Sequence, residues 1–218
     1  KGKSVTQVRA FRSDLRFPFP KNFTETLENR KVLSIDRRAK YLLIRLSGQL
    51  TLLSHLGMSG SFRFVTDAAY QPKKHDHVLF YLSDNSVMLY NDPRRFGVLD
   101  IFSTGDDRQH KLLQHLGPEP LSEEWNAKTF NDTIRQKSGP IKTTLLNQNV
   151  VVGVGNIYAC EALFMSKISP KRSARSLTRE KRPGIRTDRL VTAVKSVLST
   201  AIKVGGSTLK DFQDVEGN

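Results

Sequence analysis

Residues 91–97 read NDPRRFG, in which a turn signal leads into two arginines and a phenylalanine. Proline fixes φ and has no N–H, and glycine tolerates conformations that other residues avoid, so this stretch is predicted to be a tight, exposed loop. One interpretation buries Phe96 in the core and leaves Arg94 and Arg95 in water. The other makes these three side chains a device for handling a polyanion.

Met58 lies between glycines in SHLGMSGSF, at the end of an apolar run. A methionine packed in the core would be unremarkable, but the flanking glycines indicate a thin loop in which Met58 is exposed. A flexible apolar side chain on a basic surface can act as a wedge between bases. His55 is a candidate phosphate or hydrogen-bond contact, although a structural histidine is the simpler interpretation when it is taken alone.

Lys40 lies in the stretch RRAKYLLIRL, which has the composition of a strand. If the stretch is a strand throughout, Lys40 shares a face with apolar residues and lies close to Arg37 and Arg38. Desolvation and like charge would then both lower the pKa of the amine, which suits proton transfer or Schiff-base chemistry. The alternative is a lysine at a strand end that reaches water.

The motif KHDHV places His75 and His77 two residues apart. On a strand their side chains point the same way, but no third ligand is suggested nearby, so no metal site is predicted. One of the two histidines could contact a substrate, or both could be structural.

Two glycines precede Asn156 in VVVGVGNIYACEAL (150–163), where an apolar-periodic helix is predicted to begin. Glycines before a helix N-terminus leave backbone N–H groups free at the positive end of the dipole, where they can bind phosphate. No third glycine follows at dinucleotide spacing and no βαβ pattern precedes, so no nucleotide cofactor is predicted. Upstream, residues 138–148 are predicted to form a short helix, with Lys137 and Lys142 available to a nucleic-acid backbone. Together the two helices suggest a helix–two-turn–helix arrangement.

The charge balance indicates the class of partner. Thirty-five Lys and Arg against 21 Asp and Glu give a net charge of +14. Such an excess favours nucleic acid, since phosphates neutralised by the protein release counterions. The same charge would also suit a ribosomal RNA binder, whereas no basic amphipathic helix with an aromatic face suggests a membrane surface.

Other bulk features narrow the class further. No apolar run approaches the roughly 18 residues that a transmembrane helix needs, and no signal-peptide pattern opens the chain. The single Cys160 excludes an internal disulfide and a multi-cysteine metal site within these residues. An intracellular location is therefore expected.

The elements that carry these residues change character near the middle of the chain. Residues 31–103 are rich in short β-type runs with no helical pattern between them, which predicts an antiparallel β-sandwich or barrel. The second half is predicted to be helical. We therefore predict an α+β chain of two domains, a β-sandwich over residues 1–106 and a helical, helix–two-turn–helix domain over residues 107–218.

Further helices are predicted from apolar periodicity in the second half. The final one is expected to have Thr187 or Asp188 as its N-cap and Gly205 as its C-terminal stop. The predicted ranges are 108–116, 122–136, 156–168 and 190–202.

Seven motifs, spread in order over residues 37–168, closely resemble those of the formamidopyrimidine-DNA glycosylase family. Seven motifs in register are far more specific than any one of them. They are RRAKYLL, HLGMSGSFR, KHDHV, NDPRRFG, HLGPEPL, IKTTLLNQ and VVGVGNIYACEALF.

The resemblance implies a base-excision-repair glycosylase with abasic-site (β/δ-elimination) lyase activity. Such an enzyme flips out and removes oxidised purines, such as 8-oxoguanine and formamidopyrimidines, from double-stranded DNA. The resemblance also implies a β-sandwich followed by a helix–two-turn–helix domain and a zinc finger. A monomer in the bacterial cytoplasm, associated with the nucleoid and with no membrane partner, is expected.

Three residues match the family's intercalating positions: Met58, Arg94 and Phe96. In the family these side chains fill the space left by the flipped base and wedge the opposite strand. Extruding a base costs a few kcal/mol, so a group that occupies the gap is physically required. Arg94 also matches a DNA-contacting position.

The resemblance assigns roles to further residues. Lys40 matches a lysine credited with proton transfer in the elimination steps. His75 and Lys137 match DNA-contacting positions, and His55 and Asn156 match positions that hold phosphates.

The resemblance also implies groups that this sequence lacks. The family's nucleophile is an amino-terminal proline, followed by a glutamate that donates a proton, whereas this sequence opens KGKSVTQVRAF. It stops at DVEGN, before the four cysteines of the zinc finger, so zinc is implied while its ligands lie outside this chain. Either the sequence is trimmed at both ends or it is a cleaved or inactive form; we favour trimming, because none of the remaining cleft motifs has decayed. As given, the sequence is expected to bind DNA weakly and to excise nothing.

Two alternatives remain open. One is the sister class of glycosylase that prefers oxidised pyrimidines, against which the set Met58, Arg94 and Phe96 favours the purine branch. The other is a non-catalytic helix–two-turn–helix protein that binds nucleic acid. That alternative explains the charge and the glycine turn, but it gives no reason for Lys40 or for the three wedge residues.

Overall fold

The computed structural model describes residues 1–67, 69–178 and 183–205. It divides into two compact units, of which the first comprises Lys1–Gln114 and the second begins at His115. Each unit has a hydrophobic core of its own. The domain boundary expected after residue 106 remains a prediction, and residues 206–218 of the predicted second domain lie outside the described residues.

The first unit consists of two four-stranded antiparallel sheets, which confirms the predicted β-sandwich. Its strands are β1 (Val5–Ala10), β2 (Val32–Arg38), β3 (Tyr41–Leu46), β4 (Leu50–His55), β5 (Ser61–Val65), β6 (Asp76–Leu82), β7 (Val87–Asn91) and β8 (Val98–Ser103), with a short helix, α1 (Phe23–Leu27), before β2. One sheet has the order β1-β6-β7-β5 and the other has the order β2-β3-β4-β8.

Apolar side chains from both sheets form the core of this unit. Leu52 of β4, Phe80 of β6 and Leu99 of β8 are each at most 2% exposed. Burying a side chain of this size contributes roughly 1.5–3 kcal/mol relative to leaving it in water. The core therefore fixes the register of the strands whose ends carry the loops described below.

Lys40 does not lie on a strand face, so that part of the sequence interpretation is wrong. Arg38 pairs with Tyr41, which leaves Ala39 and Lys40 as a two-residue turn between β2 and β3. Ala39 has a φ of 53°, a left-handed conformation of the kind that tight hairpins use. The turn places Lys40 at a strand end, as the alternative interpretation held.

The helix expected over residues 108–116 is absent, and a single 3-10 turn at Asp106–Arg108 takes its place. The segment packs on β8 instead: the His110 ring lies 4.6 Å from that of Phe102, and its Nε2 atom lies 3.4 Å from an oxygen of Asp100. Tertiary contacts thus override a weak helical pattern.

The second unit is helical, as predicted. Its core includes Trp125, Phe130, Ile141 and Val151, all at most 1% exposed. The helices are α2 (Ala127–Ile134), α3 (Ile141–Leu146), α4 (Asn156–Met165) and α5 (Ile185–Lys203).

Helix α5 begins earlier than the sequence predicted. Gly184 is its N-cap residue, rather than Thr187 or Asp188. The Thr187 side chain is buried and donates a hydrogen bond to the Leu177 carbonyl at 2.8 Å, so it is not available to cap the helix. Gly205, with a φ of 82°, follows the helix end in the left-handed conformation that the prediction requires.

Candidate nucleic-acid interface

Two loops of the first unit run side by side, and each connects a strand of one sheet to a strand of the other. The methionine loop (residues 56–60) joins β4 to β5, and the arginine loop (residues 92–97) joins β7 to β8. Strand β4 pairs with β8 and β5 pairs with β7, with His55 opposite Val98 and Ser61 opposite Asn91. Both loops therefore cross from one sheet to the other between the same two pairs of strands.

The backbones of the two loops are in direct contact. Gly57 has a φ of 64°, and a Cβ placed on it would lie 2.7 Å from the Phe96 carbonyl carbon and 2.8 Å from the Gly97 nitrogen. A side chain at position 57 would therefore push the loops apart. Glycine is required here for the close approach as well as for the backbone conformation.

The three predicted wedge residues are exposed on these touching loops. Met58 is 73% exposed and Phe96 is 45% exposed, so neither belongs to the core. The Arg94 guanidinium lies over the Phe96 ring, 4.6 Å from its centroid, in a cation–π arrangement. An apolar group, a ring and a positive charge are thus presented together to solvent.

Asp92 joins the two loops, a role that the sequence interpretation missed. Its side chain is fully buried; Oδ1 accepts a hydrogen bond from the Ser59 hydroxyl at 2.6 Å, and Oδ2 accepts one from the Gly97 N–H at 2.8 Å. The Ser59 oxygen in turn accepts a hydrogen bond from the Arg94 N–H at 3.1 Å. In the sequence Asp92 was interpreted only as a turn former, because nothing local distinguishes a buried turn aspartate from an exposed one.

The two histidines of KHDHV have different surroundings. His77 is buried, and its Nε2 donates to the Asp92 carbonyl at 2.8 Å, so its role is structural. His75 lies just before β6, is half-buried, and has a φ of 74°. Its carbonyl accepts a hydrogen bond from the Asp92 N–H at 3.1 Å, which places His75 beside the arginine loop.

His55 ends β4 and contacts the methionine loop. Its Nδ1 accepts a hydrogen bond from the Gly57 N–H at 2.9 Å, so the ring proton is on Nε2. Burial lowers the pKa of His55, and the positive charges of Lys40 and Arg16 lower it further. A neutral ring whose Nε2–H can donate to an acceptor is therefore the favoured form.

Lys40 and Tyr41 lie in the same region. The Tyr41 ring is 5.0 Å from the His55 ring, and burial raises the pKa of its hydroxyl. Lys40 has an exposed surface, yet enough protein surrounds its ammonium group that desolvation lowers its pKa. The direction agrees with the desolvation expected from the sequence, although Lys40 lies in a turn rather than on a strand.

Arg16 is a further charged residue at this site that the sequence interpretation missed. Its backbone N–H donates a hydrogen bond to the Gly97 carbonyl at 3.2 Å. The positive charge of its side chain lowers the pKa of His55 and opposes the rise in the pKa of Tyr41. Arg16 is exposed. It lies in a proline-containing stretch without periodicity, and its neighbours here are distant in sequence, so no local signal indicates its position.

The second unit contains the other two predicted contact residues. Asn156 is exposed and is the first residue of α4, after the N-cap Gly155. Lys137 is half-buried in the segment that follows α2, and its carbonyl accepts a hydrogen bond from the Arg175 N–H at 2.9 Å.

The turn before α4 is held by one side chain. The Gln148 Oε1 accepts a hydrogen bond from the Gly153 N–H at 2.9 Å, and its Nε2 donates to the Leu146 carbonyl at 3.1 Å. Gly153 has a φ of 76°. The N-cap residue of α4 is Gly155, which has no side chain that could cap the helix, and an uncapped N-terminus of this kind suits an anion.

The residues that the structure describes do not fit a bound zinc ion. Among them, no group of three or more histidine, cysteine, aspartate or glutamate side chains could hold a metal, and Cys160 is exposed. Within the same residues, every helix is too short or too polar to cross a lipid bilayer.

The chain matches two family models. Residues 1–99 match the formamidopyrimidine-DNA glycosylase N-terminal domain, and residues 116–213 match the H2TH domain of the same family. Among similar proteins, the formamidopyrimidine-DNA glycosylase of Rhizobium johnstonii is 42% identical over 232 residues, which cover 100% of this chain and 78% of that protein. That of Beijerinckia indica is 44% identical over 223 residues, which cover 99% and 77%.

Solved structures are similar over the same extent. The MutM (Fpg) protein of Thermus thermophilus has a TM-score of 0.82 at 41% identity, covering 96% of this chain and 73% of that one. Lactococcus lactis Fpg in complex with DNA that contains FAPY-dG has a TM-score of 0.86 at 30% identity, covering 95% and 76%.

A β-sandwich with paired, exposed loops, followed by a helix–two-turn–helix unit, defines a class of base-excision DNA glycosylases. The chain belongs to the formamidopyrimidine-DNA glycosylase family. The predicted family, the fold class and the enzyme class, a bifunctional glycosylase and abasic-site lyase, are confirmed.

Proposed function

We propose that this chain recognises oxidised purines in double-stranded DNA by flipping the damaged nucleotide out of the stack. The observation that carries the proposal is the exposure of Met58, Arg94 and Phe96 together on two loops in contact. An apolar side chain and a ring can replace the stacking of a missing base, and the guanidinium can donate to the base left unpaired. The net charge of +14 supplies the general attraction to phosphate.

The remaining residues take roles consistent with their chemistry. Lys40, whose pKa desolvation lowers, would move a proton in the elimination steps. His55 would donate its Nε2–H to a phosphate oxygen, and His75 would contact DNA beside the arginine loop.

The contacts proposed for the second unit are to the DNA backbone. The free start of α4 at Asn156 would bind a second phosphate, and Lys137 would pair with the backbone. The chain would act as a monomer in the cytoplasm, where DNA is its partner. Zinc, which the family resemblance implies, would be bound by cysteines outside the described residues, which offer it no site.

A second lesion class is favoured by one observation. Lactococcus lactis Fpg, 30% identical to this chain, has been crystallised with DNA that contains an oxidised pyrimidine. An oxidised pyrimidine is therefore the alternative ligand for the same loops.

The test is a comparison of Kd values at one salt concentration for three duplexes: one with a single 8-oxoguanine, one with a single thymine glycol, and one undamaged. We expect the 8-oxoguanine duplex to be bound tightest. Phe96→Ala should lower its advantage about tenfold, since stacking of an aromatic ring on a base contributes roughly 1–3 kcal/mol.

Phe64→Ala is the matched control, because Phe64 is a phenylalanine on β5 that is 64% exposed and outside both loops. It should leave the preference unchanged. If thymine glycol is preferred, the pyrimidine alternative replaces the proposal. Equal affinities for all three duplexes would instead indicate a binder that reads only phosphates.

A further inference from the structure

Both insertion loops depend on the side chain of a single buried residue. Asp92 belongs to the arginine loop, yet its Oδ1 bonds the Ser59 hydroxyl of the methionine loop at 2.6 Å while its Oδ2 bonds the Gly97 N–H of its own loop at 2.8 Å. Hydrogen bonds to an ionised carboxylate are shorter and roughly twice as strong as neutral ones. The carboxylate thus connects a residue next to Met58 with a residue next to Phe96.

The connection extends to the third wedge residue. The Ser59 hydroxyl donates a hydrogen bond to Asp92 and accepts one from the Arg94 N–H at 3.1 Å, so one hydroxyl joins Asp92 to the backbone of Arg94. In sequence order, Ser59 follows Met58 directly. Every wedge residue is therefore either bonded through its backbone to this network or adjacent in sequence to a residue that is.

The main chain of Asp92 is fixed as firmly as its side chain. Its N–H donates to the His75 carbonyl at 3.1 Å, and its carbonyl accepts from the Arg95 N–H at 3.2 Å and from the His77 ring at 2.8 Å. Arg95 in turn has a φ of 58°, which directs the chain on towards Phe96. A residue this fully bonded has little freedom to rotate.

The arginine loop packs closely around the Asp92 side chain. A Cβ on Gly97 would overlap the Tyr90 hydroxyl and would lie 3.0 Å from the Asp92 Oδ2. Burial raises the pKa of Tyr90, and the negative charge of the neighbouring Asp92 raises it further. The Asp92 carboxylate is held by hydrogen bonds inside the fold.

We infer that Asp92 is a positioning residue that holds the methionine and arginine loops as one unit, so that Met58, Arg94 and Phe96 enter the DNA stack together. This role rests on the proposed function, since it concerns how the loops insert. Asp92 itself is buried and does not touch DNA. Its effect is to fix the relative position of three groups before binding, which lowers the ordering cost of insertion.

The test compares Asp92→Asn, Ser59→Ala and the double variant with the unmodified chain. The measured quantity is lesion discrimination, the ratio of Kd for undamaged duplex to Kd for the 8-oxoguanine duplex. Losing a charge-assisted hydrogen bond should lower discrimination about tenfold in Asp92→Asn, and losing the bridging hydroxyl should lower it about threefold in Ser59→Ala. The double variant should be no worse than Asp92→Asn, because the two groups act in series. Affinity for undamaged duplex should change less than about twofold, since phosphate contacts are intact.

A purely structural role is separated by a control and by a second readout. Ile44→Val trims a buried residue of β3 outside the loops, so it lowers the melting temperature without altering discrimination. In the free protein, hydrogen exchange of the Gly60 and Gly97 amides, one in each loop, should rise together in Ser59→Ala and remain slow in Ile44→Val.

The inference is overturned if folded Ser59→Ala keeps the discrimination and the slow exchange of the unmodified chain. It is also overturned if Ile44→Val loses as much discrimination as Asp92→Asn. Should Asp92→Asn fail to fold, Ser59→Ala alone decides. The two failures are distinguishable, because the proposed function fails in the unmodified chain, whereas the role of Asp92 fails only in the variants.

Discussion

The two units prepare their proposed DNA contacts by opposite means. In the first unit the proposed contact groups are side chains on loops, and hydrogen bonds to the buried Asp92 join those loops. In the second unit the proposed contact group is the main chain itself, at the start of α4, where the N-cap residue has no side chain. A side chain inserted into DNA needs a rigid base, whereas a phosphate seat needs N–H groups left without partners.

Another helix of the same unit, α2, has the N-terminal cap that α4 lacks. Helix α2 begins with a complete capping box, in which the Asn126 side chain accepts from the Lys128 and Thr129 N–H groups and the Thr129 hydroxyl accepts from the Asn126 N–H. The N-cap residue of α4 is Gly155, which has no side chain that could accept a hydrogen bond. Capping stabilises α2, and the proposed phosphate site at the start of α4 uses the end that no N-cap side chain occupies.

The largest effect is expected from a pair of glycine substitutions. Gly97→Ala would overlap Tyr90 and approach the His55 carbonyl to 2.9 Å, so we expect a loss of about 3 kcal/mol or more in the free energy of unfolding. Gly153→Ala in the second unit has open space around its Cβ and only an unfavourable φ of 76°, so it should cost about 1 kcal/mol. Denaturant unfolding of both variants measures the two free energies of unfolding. Equal losses would contradict the expectation that the crowding around Gly97 makes its substitution the more costly one.

The next effect separates phosphate contacts from base contacts. Lys137→Ala should weaken binding to damaged and undamaged duplex alike, and should reduce the slope of log Kd against log salt by about one. Phe96→Ala should leave that slope unchanged while it lowers lesion discrimination. Titrations at several salt concentrations test both, and a change of slope in Phe96→Ala would contradict the assignment.

A smaller effect is expected when a cap is supplied to α4. Gly155→Asp should stabilise the fold by a few tenths of a kcal/mol, because aspartate caps a helix better than glycine. The φ of Gly155, −100°, already suits a cap residue with a side chain. The substitution should nevertheless weaken DNA binding, because the carboxylate occupies the free N–H groups. The control Asn126→Ala should cost about 1 kcal/mol of stability and leave affinity unchanged. Unchanged affinity in Gly155→Asp would exclude the helix start as a phosphate seat.

The smallest effect concerns protonation at the first unit. Lys40→Met should raise the pKa of His55, because a positive charge that disfavours the imidazolium is removed, while burial keeps the pKa below its ordinary value. NMR titration of the His55 ring protons measures this pKa. In the unmodified chain the depressed pKa means that the unfolded state binds the proton more readily. The contribution of His55 to stability is therefore complete above its ordinary pKa and declines as the pH falls towards the folded value. A pKa unaffected by Lys40→Met would mean that the two groups do not interact.

The sequence predicted what depends on local patterns. Alternating apolar runs indicated the strands, and flanking glycines and proline indicated that Met58 and the NDPRRFG stretch are exposed loops. The sequence did not reveal the roles of Asp92 and Arg16, because both roles depend on partners that are distant in sequence. Asp92 and its partner Ser59, for example, are 33 residues apart. Lys40 was assigned to a strand because its neighbours are β-formers, and the two-residue turn depends on pairing register, which composition does not encode.

The path of the two loops between the sheets has a consequence for how their lengths can vary. Each loop is anchored at one end by the pairing of His55 with Val98 and at the other by the pairing of Ser61 with Asn91. A residue inserted into one loop alone would shift its wedge side chain relative to the wedge side chains of the other loop. Insertions and deletions in the two loops should therefore be tolerated only as matched pairs, so we expect the length of the loop at positions 56–60 to vary together with that of the loop at positions 92–97.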